Sequence, residues 1–246
     1  MKITFLGTGH GVPSATRACS ATMIEAGSSI YYIDGGAPIA DRTMLAGREI
    51  TDAKALFLTH SHGDHLSGVY HFADLLNWRY KETEFDFYLT EKRVNDAIVE
   101  LISATTKEID KKRLRFHVIS KDFVYSDENI KVTFHPTEHM TPVGRPSYGI
   151  MIEAEGKRVY FSGDLSQFLE GNDFPLDIVT EPIDLFVCEF AHFRIAHLEP
   201  YLSKIKARAV AFNHVYLLSS YDDIEAMRGK YSFEVYAPSD MTVIEI

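Results

Sequence analysis

Short apolar runs, cut by glycine, proline and polar turns, recur along the chain, and stretches with helical spacing lie between them. Ile3–Leu6 reads as a strand, and Gly7-Thr8-Gly9-His10-Gly11 then forces a loop. Thr22–Glu25 and Ile30–Ile33 form a strand pair around the turn Gly27-Ser28-Ser29. Asp34-Gly35-Gly36 ends the second strand. Pro38–Leu45 follows as a helix, with proline at its start and Gly47 past its end. Ala53–Thr59 reads as a buried strand, His65–Asn77 as a helix and Phe85–Leu89 as a strand. Val94, Ala97, Ile98, Leu101 and Ile102 fall on one helical face, which predicts an amphipathic helix over Glu91–Thr105. Leu114–Ile119, Lys131–His135, Gly149–Ala154 and Val159–Phe161 are further strands, the last two joined by a turn at Glu155-Gly156-Lys157. In the C-terminal third, Leu185–Cys188 and Ala209–Phe212 read as strands, and Pro200–Lys206 and Tyr221–Arg228 as helices. Phe233–Tyr236 and Met241–Ile246 close the chain as strands. Strand-rich, mixed and strand-rich again, this order predicts an α/β protein with two sheets sandwiched between helices. No linker or repeat divides it, so residues 1–246 are expected to form a single domain.

Composition adds exclusions. The chain is 46% hydrophobic and 24% charged, enough for a sizeable core. A net charge of -10 argues against a general nucleic-acid binder, which would need a basic surface. Cys19 and Cys188 belong to no Cys-x-x-Cys pair and read as reduced thiols. The apolar run after Met1 is too short for a signal peptide, and no stretch of ~18 apolar residues is present to span a membrane. A cytoplasmic protein without a membrane partner is the expectation.

Candidate chemistry concentrates in His60-Ser61-His62-Gly63-Asp64-His65, directly after a buried strand. Imidazole and carboxylate are the usual ligands of zinc and its neighbours. Packing this many together without a metal would waste buried polar groups. One loop offers more donors than a single tetrahedral ion takes from one segment, which points to two ions and to hydrolytic chemistry. Further ligand-type residues stand where other strands end: Asp34, His139, Asp164 and His214. Strand ends at one sheet edge can converge on a single cleft.

With His60, His62, Asp64 and His65 as a His-x-His-x-Asp-His signature, and Asp34, His139, Asp164 and His214 in order around it, the chain resembles the metallo-β-lactamase-fold hydrolase superfamily. The resemblance implies a four-layer αβ/βα sandwich with its site at one edge. It implies two divalent metal ions: one on His60, His62 and His139, the other on Asp64, His65 and His214, with Asp164 and a water or hydroxide bridging them. Asp34 would orient the loop from behind. Zinc suits these donors, with manganese, iron or nickel as alternatives. Asp164 stands where true β-lactamases of the fold carry cysteine. Phe5-Leu6-Gly7-Thr8-Gly9-His10-Gly11-Val12-Pro13-Ser14 looks like the opening of the ribonuclease Z-like branch.

That branch implies attack of a metal-bridging hydroxide on a phosphodiester, with Asp64, Glu189 and His197 as catalytic residues. Glu189 would pair with His197, which would protonate the leaving oxygen. The family's tRNA-gripping arm falls between the third and fourth motifs, where this chain has only a strand hairpin between His139 and Asp164. A small substrate, cyclic or nucleotide-type, is therefore expected rather than long RNA. Arg145 and Tyr148, in the Pro/Gly-rich loop after His139, are candidates to contact it. Trp78 and its neighbours read as core or as a homodimer contact. Hydrolysis of carboxylic esters, lactones or thioesters on the same site is the alternative, followed by tRNA 3′ processing and by a metal-binding module without catalysis.

Overall fold

The computed structural model describes residues 1–12, 14–216 and 219–246; Pro13 of the opening Phe5–Ser14 stretch lies outside them. Period-2 alternation sets the layers. Ile3 and Phe5 of β1 (Lys2–Gly7), Ile24 of β2 (Ala21–Ala26), Tyr31 and Ile33 of β3 (Ser29–Ile33), and Ala55 and Phe57 of β4 (Ala53–Phe57) face an inner core. Their neighbours Leu6, Met23, Ile30, Tyr32 and Leu56 face outward, onto helices α1 (Ile39–Leu45), α2 (Gly63–Trp78) and α3 (Lys92–Thr105). β5 (Phe85–Leu89), β6 (Leu114–Val118) and the last strand, β14 (Val243–Glu245), complete a mixed sheet in the order β14-β1-β2-β3-β4-β5-β6.

The second half of the chain builds the same thing again. β7 (Val124–Ser126), β8 (Lys131–Pro136), β9 (Tyr148–Ala154), β10 (Lys157–Phe161), β11 (Ile183–Phe190), β12 (Ala207–Val215) and β13 (Glu234–Tyr236) form a seven-stranded sheet in the order β13-β12-β11-β10-β9-β8-β7. Phe134, Ile150, Val159, Leu185 and Ala211 meet the first sheet in the inner core. Tyr160, Phe186 and Phe212 pack outward with Val179 of α4 (Leu176–Val179), Leu198 of α5 (Ile195–Leu202) and Ile224 of α6 (Ser219–Met227). The result is the four-layer αβ/βα sandwich the sequence implied. None of the described helices is long and apolar enough to cross a membrane.

Three local expectations differ, the unexpected short helix α4 among them. The helix expected from Pro200 starts at Ile195 and carries Pro200 inside it. Its start is set by the His197 ring, whose Nδ1 accepts the Arg194 backbone N–H at 3.1 Å, so a capping contact outweighs proline's preference for the first turn. β7 was not expected; it is a short edge strand whose Val124 and Ser126 are exposed, which leaves no hydrophobic alternation to read.

Candidate metal centre

The strands that carry ligand-type residues run parallel within each half. β3 pairs parallel with β4, and β10 with β11 and β11 with β12. β8 and β10 both run antiparallel to β9, so their carboxyl ends also fall together. From these ends come Asp34 after β3, His60–His65 after β4, His139 after β8, Asp164 after β10, and Glu189 and His214 at the ends of β11 and β12.

His60, His62 and His139 gather with their ring nitrogens close together. His60 Nε2 is 3.0 Å and His139 Nε2 3.2 Å from His62 Nδ1. Nitrogens about 2.0–2.1 Å from one tetrahedral ion stand roughly 3.4 Å apart. The far sides of two rings are spoken for. His139 Nδ1 donates to the Leu165 carbonyl at 3.1 Å, and His60 Nδ1 faces Thr59 Oγ1 at 3.2 Å. Both Nε2 atoms therefore present lone pairs to His62, whose single proton can satisfy only one of them. Burial holds the pKa values of His60, His62 and His139 below the ordinary histidine value, which keeps these rings neutral, as a metal ligand must be.

Asp64, His65 and His214 form the second group. His65 Nε2 and His214 Nε2 lie 3.7 Å from Asp64 Oδ2. His65 Nε2, which faces Asp64 and Asp164, is buried without a hydrogen-bond partner, an arrangement that costs free energy unless a further group is bound. Asp164, 3% exposed, stands between the two groups, 3.7 Å from His60, 3.4 Å from His65, 3.8 Å from His139 and 3.3 Å from His214. Burial opposes its charge, but the surrounding imidazoles hold its carboxyl well below the usual range. The donor set thus fits two cations sharing one carboxylate. Burial disfavours charge on His65 as well, yet Asp164 and Asp34 raise its pKa overall.

The support beneath these residues is built from backbone. Asp34 takes the left-handed conformation at φ 59° and accepts from Thr59 N at 2.8 Å, Thr59 Oγ1 at 3.0 Å and His65 Nδ1 at 2.7 Å. It therefore fixes both the strand end and the His65 tautomer. Gly36 lies against the first turn of α2, where a Cβ would meet the Asp64 carbonyl, and Gly36 N donates to Ser20 O. Asp240, near β14, accepts from Thr8 N and Oγ1, Ala18 N and Arg42. That carboxylate pins the His10 loop as one wall of a cleft of about 490 Å³ lined by His62, Asp64, Asp164 and His214.

Three expected residues are placed elsewhere. His197 does not meet Glu189; it caps its own helix and packs against Phe168, ring centroids 5.3 Å apart. Glu189 is joined instead by His192, Nδ1 to Oε1 at 3.0 Å, and that ring is 3.8 Å from Asp164 and 4.7 Å from the His139 ring. Burial works against the His192 cation, but the Glu189 carboxylate outweighs it and pushes the pKa up to about 9. Arg145 is held by Glu91 at 3.0 Å, and Glu91 also accepts from Ser61 at 2.7 Å. That pair ties the His60–His65 loop to the loop after β8 and does not line the cleft. Tyr148, 7% exposed, packs near Phe134 in the inner core, out of a substrate's reach. His192 was missed because a lone histidine past a strand carries little signal, and its Glu-x-x-His spacing from Glu189 was the only clue.

A family model described as "Anti-Pycsar protein Apyc1" matches residues 1–231. The ribonuclease Z of Shouchella clausii (strain KSM-K16) is 29% identical over 160 residues, 64% of this chain and 49% of that protein. The chain thus spans about half the length of that relative. Among solved structures, the metallo-β-lactamase-fold protein YhfI from Bacillus subtilis superposes with a TM-score of 0.78 at 17% identity, covering 100% of this chain and 99% of that one. A diphosphatase from the PhnP family gives 0.71 at 14% identity, covering 100% and 97%.

Proposed function

The chain belongs to the Anti-Pycsar protein Apyc1 family, in the ribonuclease Z-like branch of the metallo-β-lactamase fold, and on that premise we propose that it is a two-metal hydrolase of a small phosphodiester, cyclic or nucleotide-type. The observation that carries this reading is Asp164, within 3.8 Å of imidazoles from both donor groups at the floor of the cleft. His60, His62 and His139 would hold one ion and Asp64, His65 and His214 the other, zinc being well suited and manganese, iron or nickel accepting the same donors. Such ions supply charge neutralisation for phosphate oxygens and an acidified water.

The protein's own groups supply position and a proton. Asp34 keeps the His65 ring turned toward the cleft. Glu189 accepts from Leu165 N, Ala191 N and His192 N as well as from the His192 ring, so it is rigidly placed. The His192 ring lines the cleft, held by Glu189 as a cation that can protonate the leaving alkoxide. A small substrate is favoured by the cleft volume, by the net charge of -10 and by the short His139–Asp164 interval, which holds only a helical turn and the β9–β10 hairpin. The same reading takes residues 1–246 as one cytoplasmic domain that acts on small molecules.

The test is Asp164→Ala. Metal per chain should fall, and hydrolysis of bis(p-nitrophenyl) phosphate should drop to background, both measured on protein that remains folded by circular dichroism. Full activity in that variant sinks the two-metal assignment. A wild-type protein that turns over lactones or thioesters and no phosphodiester replaces the substrate class.

A further inference from the structure

We propose that a small chamber beneath the candidate metal centre binds one internal water, and that this water fixes the ring of His214; the second half rests on the ligand role given to His214 above. The chamber has a volume of about 30 Å³ and is lined by Thr22, Asp34, Ser162, Asn213 and His214 among others. A polar cavity needs about 10–15 Å³ to admit a water, so the space suits a water and no larger ligand. Asn213 is 6% and His214 3% exposed, which keeps both side chains from bulk solvent.

Strand β12 delivers both residues. Ala209 and Ala211 face the inner core, and the same alternation turns Asn213 inward after them. A bulge then interrupts the pairing with β11. Glu189 lies opposite Asn213 and Phe190 opposite Val215, which leaves His214 as the extra residue, in the left-handed conformation at φ 55°. Its Nε2 stands 3.3 Å from Asp164 Oδ2 and 3.7 Å from Asp64 Oδ2, on the cleft side. Its Nδ1 is buried and meets no hydrogen-bond partner among the described residues, and the same holds for Asn213 Oδ1. Two orphan polar atoms on neighbouring residues that line one chamber are a pair that packing leaves unexplained.

Other candidate ligands have a protein group behind them. His65 has Asp34, His139 has the Leu165 carbonyl and His60 has Thr59. Ser162 cannot serve His214 in this way, because its Oγ gives its proton to the Gly163 carbonyl at 2.6 Å and accepts from Glu189 N at 3.0 Å. With Nε2 open toward a cation, the ring proton sits on Nδ1 and requires an acceptor, while Asn213 Oδ1 requires a donor. One water is both. A cation would meet the Nδ1 proton, and an anion would meet the Asp34 and Asp164 carboxylates that line the same chamber. The water therefore does for His214 what Asp34 does for His65, and it ties the ring to the strand end that carries it.

The experiment is a high-resolution crystal structure of the zinc-loaded protein, joined to zinc titration against a competing chelator. One density peak should lie within about 3.2 Å of both His214 Nδ1 and Asn213 Oδ1. No peak, a protein atom in its place, or a peak that scatters as a metal ion overturns the proposal. Asn213→Leu, which fills the chamber with apolar bulk of similar size, should remove the peak and weaken binding of one of the two zinc ions about tenfold. Asn213→Ser, whose hydroxyl can still accept from the water, should keep the peak and stay within about threefold of wild type. Zinc binding unchanged after the peak is lost overturns the positioning role, and so does an equal loss in both variants. If Asn213→Leu fails to fold, the wild-type density and the serine variant decide. His214→Ala reports on the ligand assignment separately. Retention of both ions there removes His214 as a ligand, and the density in wild type still decides the water.

Discussion

Glu189 is buried at 3% exposure, and of the donors it accepts, only the His192 ring can release a proton toward the cleft. Positioned acids of this kind contribute about 10²–10⁴-fold, and they matter most when the leaving group is a poor one. His192→Ala should therefore slow hydrolysis of alkyl or ribose phosphodiesters by about 10²–10⁴-fold and spare p-nitrophenyl esters, whereas His197→Ala should leave both within about twofold. Equal losses on both substrates in His192→Ala remove it as the acid. The contrast shows what residues disclose by themselves. His60, His62, Asp64 and His65 were legible because so dense a cluster has no common structural use. Arg145 and Tyr148 were misplaced because a loop's composition does not say which way it turns. One is held by Glu91 and the other lies in the core.

Helix α2 carries three of the candidate ligands in or just before its first turn, so its seating against the first sheet sets their geometry. Gly68 lets it sit close. A Cβ there would lie 2.1 Å from the Ala37 carbonyl and 2.7 Å from the Gly35 carbonyl, and Gly68 N donates to that same Gly35 oxygen at 2.7 Å. Backbone cannot yield as a flexible side chain can, so the helix itself must move. Gly68→Ala should cost about 3 kcal/mol in urea unfolding. It should also weaken metal binding, since Asp64 and His65 shift with the helix. Unchanged stability would mean that the helix has more freedom than its contacts allow. At this scale the sequence was most informative where periodicity was strong. The helix predicted over Glu91–Thr105 forms as α3 within a residue at its start, because its apolar stripe is clean. α5 was misplaced because its start rests on a histidine cap that no hydrophobic period reveals.

Strand order is mirrored between the halves of the molecule, and the inner core joins them. Two sheets between helices could be read from the alternation of strand and helix signals. That β14 crosses back to pair with β1, Ile3 opposite Ile244, could not, because register between distant strands leaves no local trace. The seam between the halves is also where the candidate ligands meet. His60, His62, Asp64 and His65 belong to the first half, and His139, Asp164 and His214 to the second. The connection between β6 and β7 exposes Ser120, Lys121 and Asp122 to solvent. A chain cut there should give two pieces, neither retaining zinc through gel filtration, whereas their mixture should retain it. Zinc held by the first piece alone would mean that the later ligands are dispensable. In that sense the protein is built as a two-part lock: metals bound at the seam would act as a latch, and their uptake would report reassembly of the severed halves.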